Sequence, residues 1–188
     1  VRFLDTGAMY RAVALAVLQS DASESDDAAV SQIAANTSLE FRDLALFLNG
    51  TDVSQQIRSP EVTAVSSVVA ANSAVRDRLV ELQRNIGRQG SLVTEGRDQG
   101  SVVFPGAEFK FFLTASVDAR ARRRHREMVA SGSSLTLATV TTQLRQRDAR
   151  DENRAHAPMK AAEDARTIDT SSLSIAQVVE LLTSIVQK

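Results

Sequence analysis

VRFLDTGAMYR, residues 1–11, holds three local signals in one short stretch. Arg2, Phe3 and Leu4 belong to a short apolar strand spanning Val1–Asp5. Asp5, Thr6 and Gly7 form a polar turn, and from about Ala8 to Leu18 the apolar residues recur at helical spacing. A strand that feeds a helix through a short polar turn is the building unit of a parallel sheet covered by helices. The stretch therefore sets the expectation for everything downstream.

The pattern repeats, with one interruption. Ser20–Asp27 is acidic and polar, a surface loop, and Ala28–Ala35 has the length of a short helix. Ser38–Arg42 and Leu44–Leu48 alternate like strands around Arg42-Asp43, and Asn49-Gly50 is a strong turn signal, so this segment is an antiparallel ribbon. Ser59 then caps a helix with Pro60 in its first position. Glu61–Ala71 and Ala74–Arg88 are two helices broken near Asn72-Ser73. Ser91–Thr94 and Glu108–Leu113 have strand length, the second followed by a helix from about Val117. Asp118–Ala130 and Leu137–Asn153 are helices separated by Ser131–Ser134. Thr167–Asp169 is a last short strand. Ser174 and Gln177 make a capping box for a final helix whose Ile175, Val178, Val179, Leu182 and Ile185 share one face. Alternating strands and helices predict an α/β fold, a parallel sheet flanked by helices, with the ribbon as an insertion. The phenylalanines are expected mostly in the core.

Composition narrows the function. The 188 residues are 43% hydrophobic, enough for a real core, and the net charge of −1 gives no global pull toward nucleic acid or anionic membrane. Cysteine is absent, so disulfides and thiolate metal sites are excluded. No apolar run approaches membrane-spanning length, and no targeting pattern is visible, which predicts a cytoplasmic protein. Of the 22 basic residues, 19 are Arg and 3 are Lys. A GC-rich genome explains such a bias as readily as phosphate binding does, so position has to carry the argument. His125 and His156 have no ligand spacing, and no metal site is expected from side chains.

Three polar segments end predicted strands, where ligands lie in doubly wound folds. They are Asp5-Thr6-Gly7, Glu95–Gly100 and Asp169-Thr170-Ser171. In the second, the glycines permit close backbone approach while Arg97 and Asp98 project from the sheet edge. On a helix Arg147, Asp151 and Arg154 share one face, with Asp148 beside them; a solvated, ion-paired face is the plain alternative. Arg120-Ala121-Arg122-Arg123-Arg124-His125-Arg126 crowds five guanidinium groups that repel unless an anion relieves them. An RNA-binding patch is one reading, but no aromatic residues are interleaved for stacking, so a polyphosphate is favoured. Many Arg donors and few carboxylates spread over several loops suit phosphoryl transfer, where positioning and charge neutralisation do most of the catalysis.

On these segments the chain resembles the bacterial cytidylate kinases of the nucleoside monophosphate kinase family. The matching stretches are LDTGAMYRAVAL, NGTDVSQQIRSPEV, VRDRLVELQR, EGRDQGSVVFPGAEFKFFL, RARRRHRE, QRDARDENRAHAP and TIDTSSLSIAQVVE, in family order along nearly the whole chain. The resemblance implies core segments at 1–28, 89–119 and 151–188, a monophosphate-binding insertion at 29–88 and an Arg-rich lid at 120–150. It implies that Ser67, Arg76 and Asp98 read the cytosine edge, and that Arg147 and Asp151 hold the sugar hydroxyls. Thr6, Arg11, Arg97 and Arg154 then grip the acceptor phosphate with Tyr10 nearby, and Arg120, Arg123 and Arg124 close over ATP. Arg97, Arg123, Arg147 and Arg154 are the implied catalytic arginines. Thr6 stands where many relatives have Ser, which keeps the hydroxyl. The substrates implied are CMP or dCMP with ATP and Mg²⁺, handled by a monomer without nucleic-acid or membrane partners.

One family element is not in these residues. The phosphate loop GxxxxGK[ST], whose amides cradle phosphates and whose hydroxyl meets Mg²⁺, does not occur in the sequence. The family pattern places it in a first strand–loop–helix unit of roughly 30 residues. Val1 begins where the second strand ends, so unpaired strand edges are expected, and no kinase activity is expected of these residues by themselves. A non-catalytic nucleotide binder is the alternative to an ordinary kinase, and the retained monophosphate and lid residues favour the kinase.

Overall fold

The computed structural model describes residues 1–130, 132, 134–152 and 160–187, with the side chains of 150–152 outside that description. Arg154, Ser131 and Ser133 therefore lie outside the described residues, as does the side chain of Asp151. The chain divides into two compact units, Val1–Gln99 and Gly100–Lys188.

In the first unit β1 (Arg2–Asp5) pairs in parallel with β5 (Leu92–Glu95), Leu4 opposite Thr94 and Asp5 opposite Glu95. Between them come α1 (Thr6–Leu18), α2 (Asp27–Asn36), β2 (Leu39–Arg42), β3 (Ala45–Leu48), β4 (Thr51–Asp52), a single 3₁₀ turn at Gln56–Arg58, α3 (Pro60–Val69) and α4 (Ser73–Gly87). Helix α1 starts two residues earlier than its apolar pattern, because the Asp5 carboxylate accepts from the Ala8 amide at 2.9 Å and draws Thr6 and Gly7 into the first turn. It is apolar on most of its circumference. Ala8, Met9, Ala12, Val13, Ala14, Leu15 and Val17 are all buried, so α1 is the axis on which α2, α3 and the ribbon pack.

The ribbon has three strands, one more than its alternation predicts. Asn49 and Gly50 both take positive φ (49° and 84°), and the two-residue turn they make returns the chain as β4. The other turn centres on Asp43 and Leu44, one residue later than the polar pair suggests. Leu46, Leu48 and Val53 are buried, while Arg42 lies over the Phe47 ring at 4.2 Å and pairs with Glu40 at 2.8 Å.

Ser59 caps α3 ahead of Pro60, and Asn72 caps α4 through the Val75 amide at 3.1 Å. Asn72 also donates to the Asp27 carbonyl at 3.0 Å and accepts from Ser31 Oγ at 3.2 Å, so one buried amide joins α2 to α4. The buried face of α4 carries Val75, Arg76, Leu79, Val80 and Gln83. Two polar residues thus stand two turns apart within an apolar stripe.

A π-helical turn at Gln99–Val103 is followed, in the second unit, by β6 (Phe111–Thr114), α5 (Val117–Ala130), α6 (Leu137–Glu152), β7 (Arg166–Asp169) and α7 (Ile175–Val186). Strands β6 and β7 are parallel, Thr114 opposite Asp169. Strand β6 begins later than its apolar run because Pro105 and Gly106 hold the preceding residues in turns, and Lys110 Nζ bonds the Pro105 carbonyl and Asp164. Helix α6 is described to Glu152, and its expected last residue, Asn153, lies outside the described residues.

The α/β class with parallel strands, flanking helices and a small antiparallel sheet is as expected. The parallel strands form two pairs instead of one continuous sheet, since among the described residues no strand bonds to both β5 and β6. The phenylalanines depart from expectation as well. None of the seven is fully buried, and Phe3 and Phe109 are exposed. The continuous core is built from Val, Ala, Leu, Ile and Met of the first unit, where short side chains let α1 approach its neighbours closely. The capping box of α7 forms as predicted, but its apolar stripe stays open, with Ile175 86% exposed.

Asn72 makes the first testable point. Asn72→Ala removes a cap and three inter-helix bonds, and is expected to cost about 2 kcal/mol in urea unfolding of the chain. A loss below about 0.5 kcal/mol would show that α2 and α4 are held by apolar contacts alone.

Candidate functional site

Parallel strands β1 and β5 end side by side, so Asp5 and Glu95 are register partners at one rim. The chain then leaves β1 into α1 through Thr6 and leaves β5 into Gly96-Arg97-Asp98-Gln99. The two exits are tied together. Thr6, 2% exposed, donates its hydroxyl hydrogen to the Glu95 carbonyl at 2.6 Å. A Cβ on Gly96 would stand 2.6 Å from Thr6 Oγ1 and 2.7 Å from Gln99 Nε2, so only glycine fits where the two exits meet.

Asp98 does not project from the sheet edge, as the sequence suggested. It is 6% exposed and forms a buried ion pair with Arg76 of α4. The reason is the turn at Gly96, which directs the following residues inward to α4. A polar relay fixes that turn: Gln99 Nε2 donates to Gln83 Oε1 at 3.0 Å, and Thr94 Oγ1 donates to Gln99 Oε1 at 3.0 Å. Gln83 is 1% exposed, and Arg76 and Gln83 are the two polar residues of the α4 stripe. The Tyr10 ring lies 5.9 Å from the Arg76 guanidinium carbon, within cation–π range.

On the next turn of α1, Arg11 Nη1 donates to the Ile57 carbonyl at 3.0 Å and to Thr63 Oγ1 at 2.8 Å. Ser67 sits half-buried one turn further along α3 from Thr63, and Arg97 is half-buried in the loop after Gly96. Of the expected first-unit residues, Thr6 and the Gly96–Gln99 loop converge at the strand ends. Arg76, Asp98 and Tyr10 form a second cluster, and Arg11 clamps the 3₁₀ turn to α1. The Glu95 carboxyl is pushed above its usual pKa, first by loss of hydration and then by the neighbouring Asp5 carboxylate, with Arg58 opposing.

The second unit gathers arginines. Arg120 makes a two-pronged pair with Asp148 of α6, at 2.9 Å (Nη1–Oδ1) and 2.8 Å (Nη2–Oδ2), and its Nε donates to the Ala115 carbonyl at 3.0 Å. Arg123 donates to the Thr170 hydroxyl at 3.2 Å and to the carbonyls of Thr170 and Leu173. Arg124 reaches Glu127 at 3.4 Å. Arg147 lies exposed on α6 beside Asp148, and the helical backbone at Asp151 follows one turn later. Three of the five crowded arginines thus find internal partners. Arg122 and Arg126 meet no carboxylate among the described residues, and with Arg123, His125, Ser172 and Ser174 they line a cavity of about 490 Å³. The loop from Asp169 is shaped locally: Asp169 accepts from the Ser171 amide at 2.8 Å and hydroxyl at 2.6 Å, which lowers its pKa, as Arg123 does more weakly. Among the described residues no group of three or more His, Cys, Asp or Glu side chains is placed to hold a metal ion.

The sequence has counterparts among known proteins. The family model described as cytidylate kinase matches residues 1–188. The chain belongs to the cytidylate kinase family. It is 45% identical to the cytidylate kinase of Citrifermentans bemidjiense over 189 residues, covering 98% of this chain and 81% of that protein. It is 46% identical to that of Geobacter sp. strain M21 over 183 residues, with coverages of 95% and 78%. The cytidylate kinase of Geobacillus sp. strain WCH70 is 43% identical over 190 residues, with coverages of 99% and 85%. Members of this family are phosphotransferases, and their chemistry is ATP-dependent phosphoryl transfer.

Sequence reasoning missed Gln83, Gln99, Arg58 and Thr63. Gln83 was legible as a polar residue seven positions after Arg76 in an apolar helix stripe. Arg58 and Thr63 carry no local signal, because their partners lie 53 and 52 residues away.

Two measurements follow. Gly96→Ala drives a Cβ into Thr6 and Gln99 and is expected to cost about 1–3 kcal/mol in unfolding free energy. For Glu95, a folded-state pKa raised above the unfolded value means stability is lost as pH rises through the folded pKa. Glu95→Gln is therefore expected to raise the melting temperature at pH 7 and leave it unchanged at pH 4; equal shifts at both would show that charge is not the cause.

Proposed function

We propose that the chain takes CMP or dCMP as phosphoryl acceptor and that Arg120, Arg123 and Arg124 serve the donor ATP. The residue roles implied by the resemblance are taken over here as this proposal. One observation supports it most: a buried guanidinium and carboxylate, Arg76 and Asp98, held by α4 and the loop after β5 at the strand ends. Cytosine presents an amino group for an acceptor such as Asp98, and O2 and N3 for a donor such as Arg76. Ser67 completes that edge. Thr6, Arg11 and Arg97, with Arg154 from outside the described residues, hold the acceptor phosphate, and Arg147 with Asp151 holds the sugar. The insertion at 29–88 is then the monophosphate-binding domain and 120–150 the lid.

In the reaction, an oxygen of the acceptor phosphate forms a bond to the γ-phosphorus of ATP. The bond from that phosphorus to the β–γ bridging oxygen breaks, and ADP departs. The chain's contribution is alignment and neutralisation of developing charge by Arg97, Arg123, Arg147 and Arg154, which is where most catalysis of phosphoryl transfer lies. Magnesium, which such ATP chemistry generally uses, finds no side-chain cage among the described residues. These residues act on the nucleotides themselves.

The alternative of an RNA-binding Arg-rich module is less favoured, because no aromatic side chains are interleaved among Arg120–Arg126 to stack on bases.

Titration calorimetry with CMP, dCMP, AMP and GMP tests the reading. CMP and dCMP are expected to bind at least tenfold more tightly than the purine monophosphates. Asp98→Asn keeps the shape but supplies an amide toward the cytosine amino group, and is expected to abolish the preference. Equal binding of AMP and CMP by the unsubstituted chain would sink the assignment.

A further inference from the structure

We propose that Gln99 is a positioning residue for base discrimination: its side-chain amide holds the loop after β5 so that the Asp98 carboxylate cannot swing away from the base edge. The inference rests on the acceptor reading above and adds how cytosine is told from its nearest analogue, uracil.

The loop is short and closed at both ends. At Gly96, Thr6 Oγ1 and Gln99 Nε2 would stand 2.6 Å and 2.7 Å from an added Cβ, so the chain is pinched there. At the other end, Gln99 Oε1 accepts from Thr94 Oγ1 at 3.0 Å, a bond that closes residues 94–99 into a ring. The Thr94 hydroxyl also lies 3.3 Å from the Leu4 carbonyl, which fastens the ring to β1. Only Arg97 and Asp98 stand between the two fixed points.

A second anchor sets direction. Asp98 pairs with Arg76, and Gln99 Nε2 donates to Gln83 Oε1 at 3.0 Å. Adjacent loop residues thus reach two points seven residues apart on α4, about 10 Å along the helix. Held at one point the loop could swivel; held at both, it lies along α4 in one orientation. Gln83 is 1% exposed, so water does not compete for the relay. An amide suits the place of Gln99, because it donates and accepts at once and adds no charge beside Asp98.

Base discrimination needs this restraint. Cytosine offers its amino group to a carboxylate, whereas uracil puts a carbonyl oxygen in the same position. Two acceptors repel, so uracil is rejected only if the carboxylate stays in place. A mobile Asp98 would withdraw and admit both bases.

The experiment is calorimetry of CMP, UMP and AMP against the unsubstituted chain, Gln99→Met and the double variant Gln83→Met/Gln99→Met, with thermal melts alongside. Ribose 5-phosphate, which has no base, is measured by displacement of CMP. Gln99→Met keeps the length of the side chain but removes the donor to the buried Gln83 carbonyl, so the melting temperature is expected to fall. The double variant removes both polar groups together and is expected to restore most of it. The ratio of CMP to UMP affinity is expected to fall about tenfold in both variants, with ribose 5-phosphate unchanged. A relay that only braces the fold would instead recover the ratio with the melting temperature. A ratio unaltered in Gln99→Met or restored in the double variant overturns the proposal. So does a matching loss of ribose 5-phosphate affinity, or equal binding of CMP and UMP by the unsubstituted chain. If Gln99→Met is too unstable to titrate, the double variant alone decides. Failure of the acceptor reading is separate: the unsubstituted chain would then bind CMP and AMP equally.

Discussion

A guanidinium and a carboxylate buried together, Arg76 and Asp98, set the terms for the first unit. Each charge alone in that environment would cost several kcal/mol in lost hydration, and the pair is tolerable only if both partners arrive in register. That requirement reaches outward. Arg76 must be delivered by α4, so α4 must be capped and seated, which Asn72 accomplishes. Asp98 must be delivered by the loop after β5, so the chain must turn sharply at Gly96, where there is no room for a Cβ. Gln83, Gln99 and Thr94 then satisfy the polar groups that the turn buries. An ion pair of this kind is a poor source of stability but a strict test of geometry.

The two units solve different physical problems. In the first, a continuous aliphatic core runs from Leu4 through α1 to α3 and α4, and the polar site is set into its margin. In the second, the buried apolar residues are few, among them Val103, Ala119, Ala121, Val140 and Ile168, and charged pairs such as Arg120 with Asp148 carry more of the organisation. Elements held by polar bonds near solvent open at lower free energy than elements buried in an apolar core. Helices α5 and α6 belong at that end of the range, whereas α1, α3 and α4 are set in the continuous core.

The arginines show how one residue type serves several ends. Arg76 is buried and paired with Asp98. Arg11 clamps a turn to a helix. Arg120 joins α5 to α6 with both prongs of its fork, a geometry that lysine cannot match. Arg122 and Arg126 line a cavity together with Ser172 and Ser174. Function in this family depends on neutralising phosphate charge in sequence, and a set of guanidinium groups held with graded strength is suited to that. Arg120 and Arg123 have several internal partners each, whereas the Arg124–Glu127 pair is long and exposed.

Local chemistry was legible from the residues. The strand–turn–helix at the start, the Asn49-Gly50 turn, Ser59-Pro60, the break at Asn72 and the Ser174/Gln177 capping box all follow from hydrogen bonds that close within a few residues, so the sequence by itself determined them. The long family motifs likewise carried the assignment, because their order along the chain is a property of sequence alone. What only the tertiary structure decided are the pairings across 22 to 89 residues: Arg76 with Asp98, Arg120 with Asp148, Thr6 with the Glu95 carbonyl. It also decided which apolar residues are core, drawing on small aliphatics and leaving the phenylalanines at the margin. The reason is the same in each case. Burial and charge compensation depend on what another segment brings to the same place, and no window of sequence contains that segment.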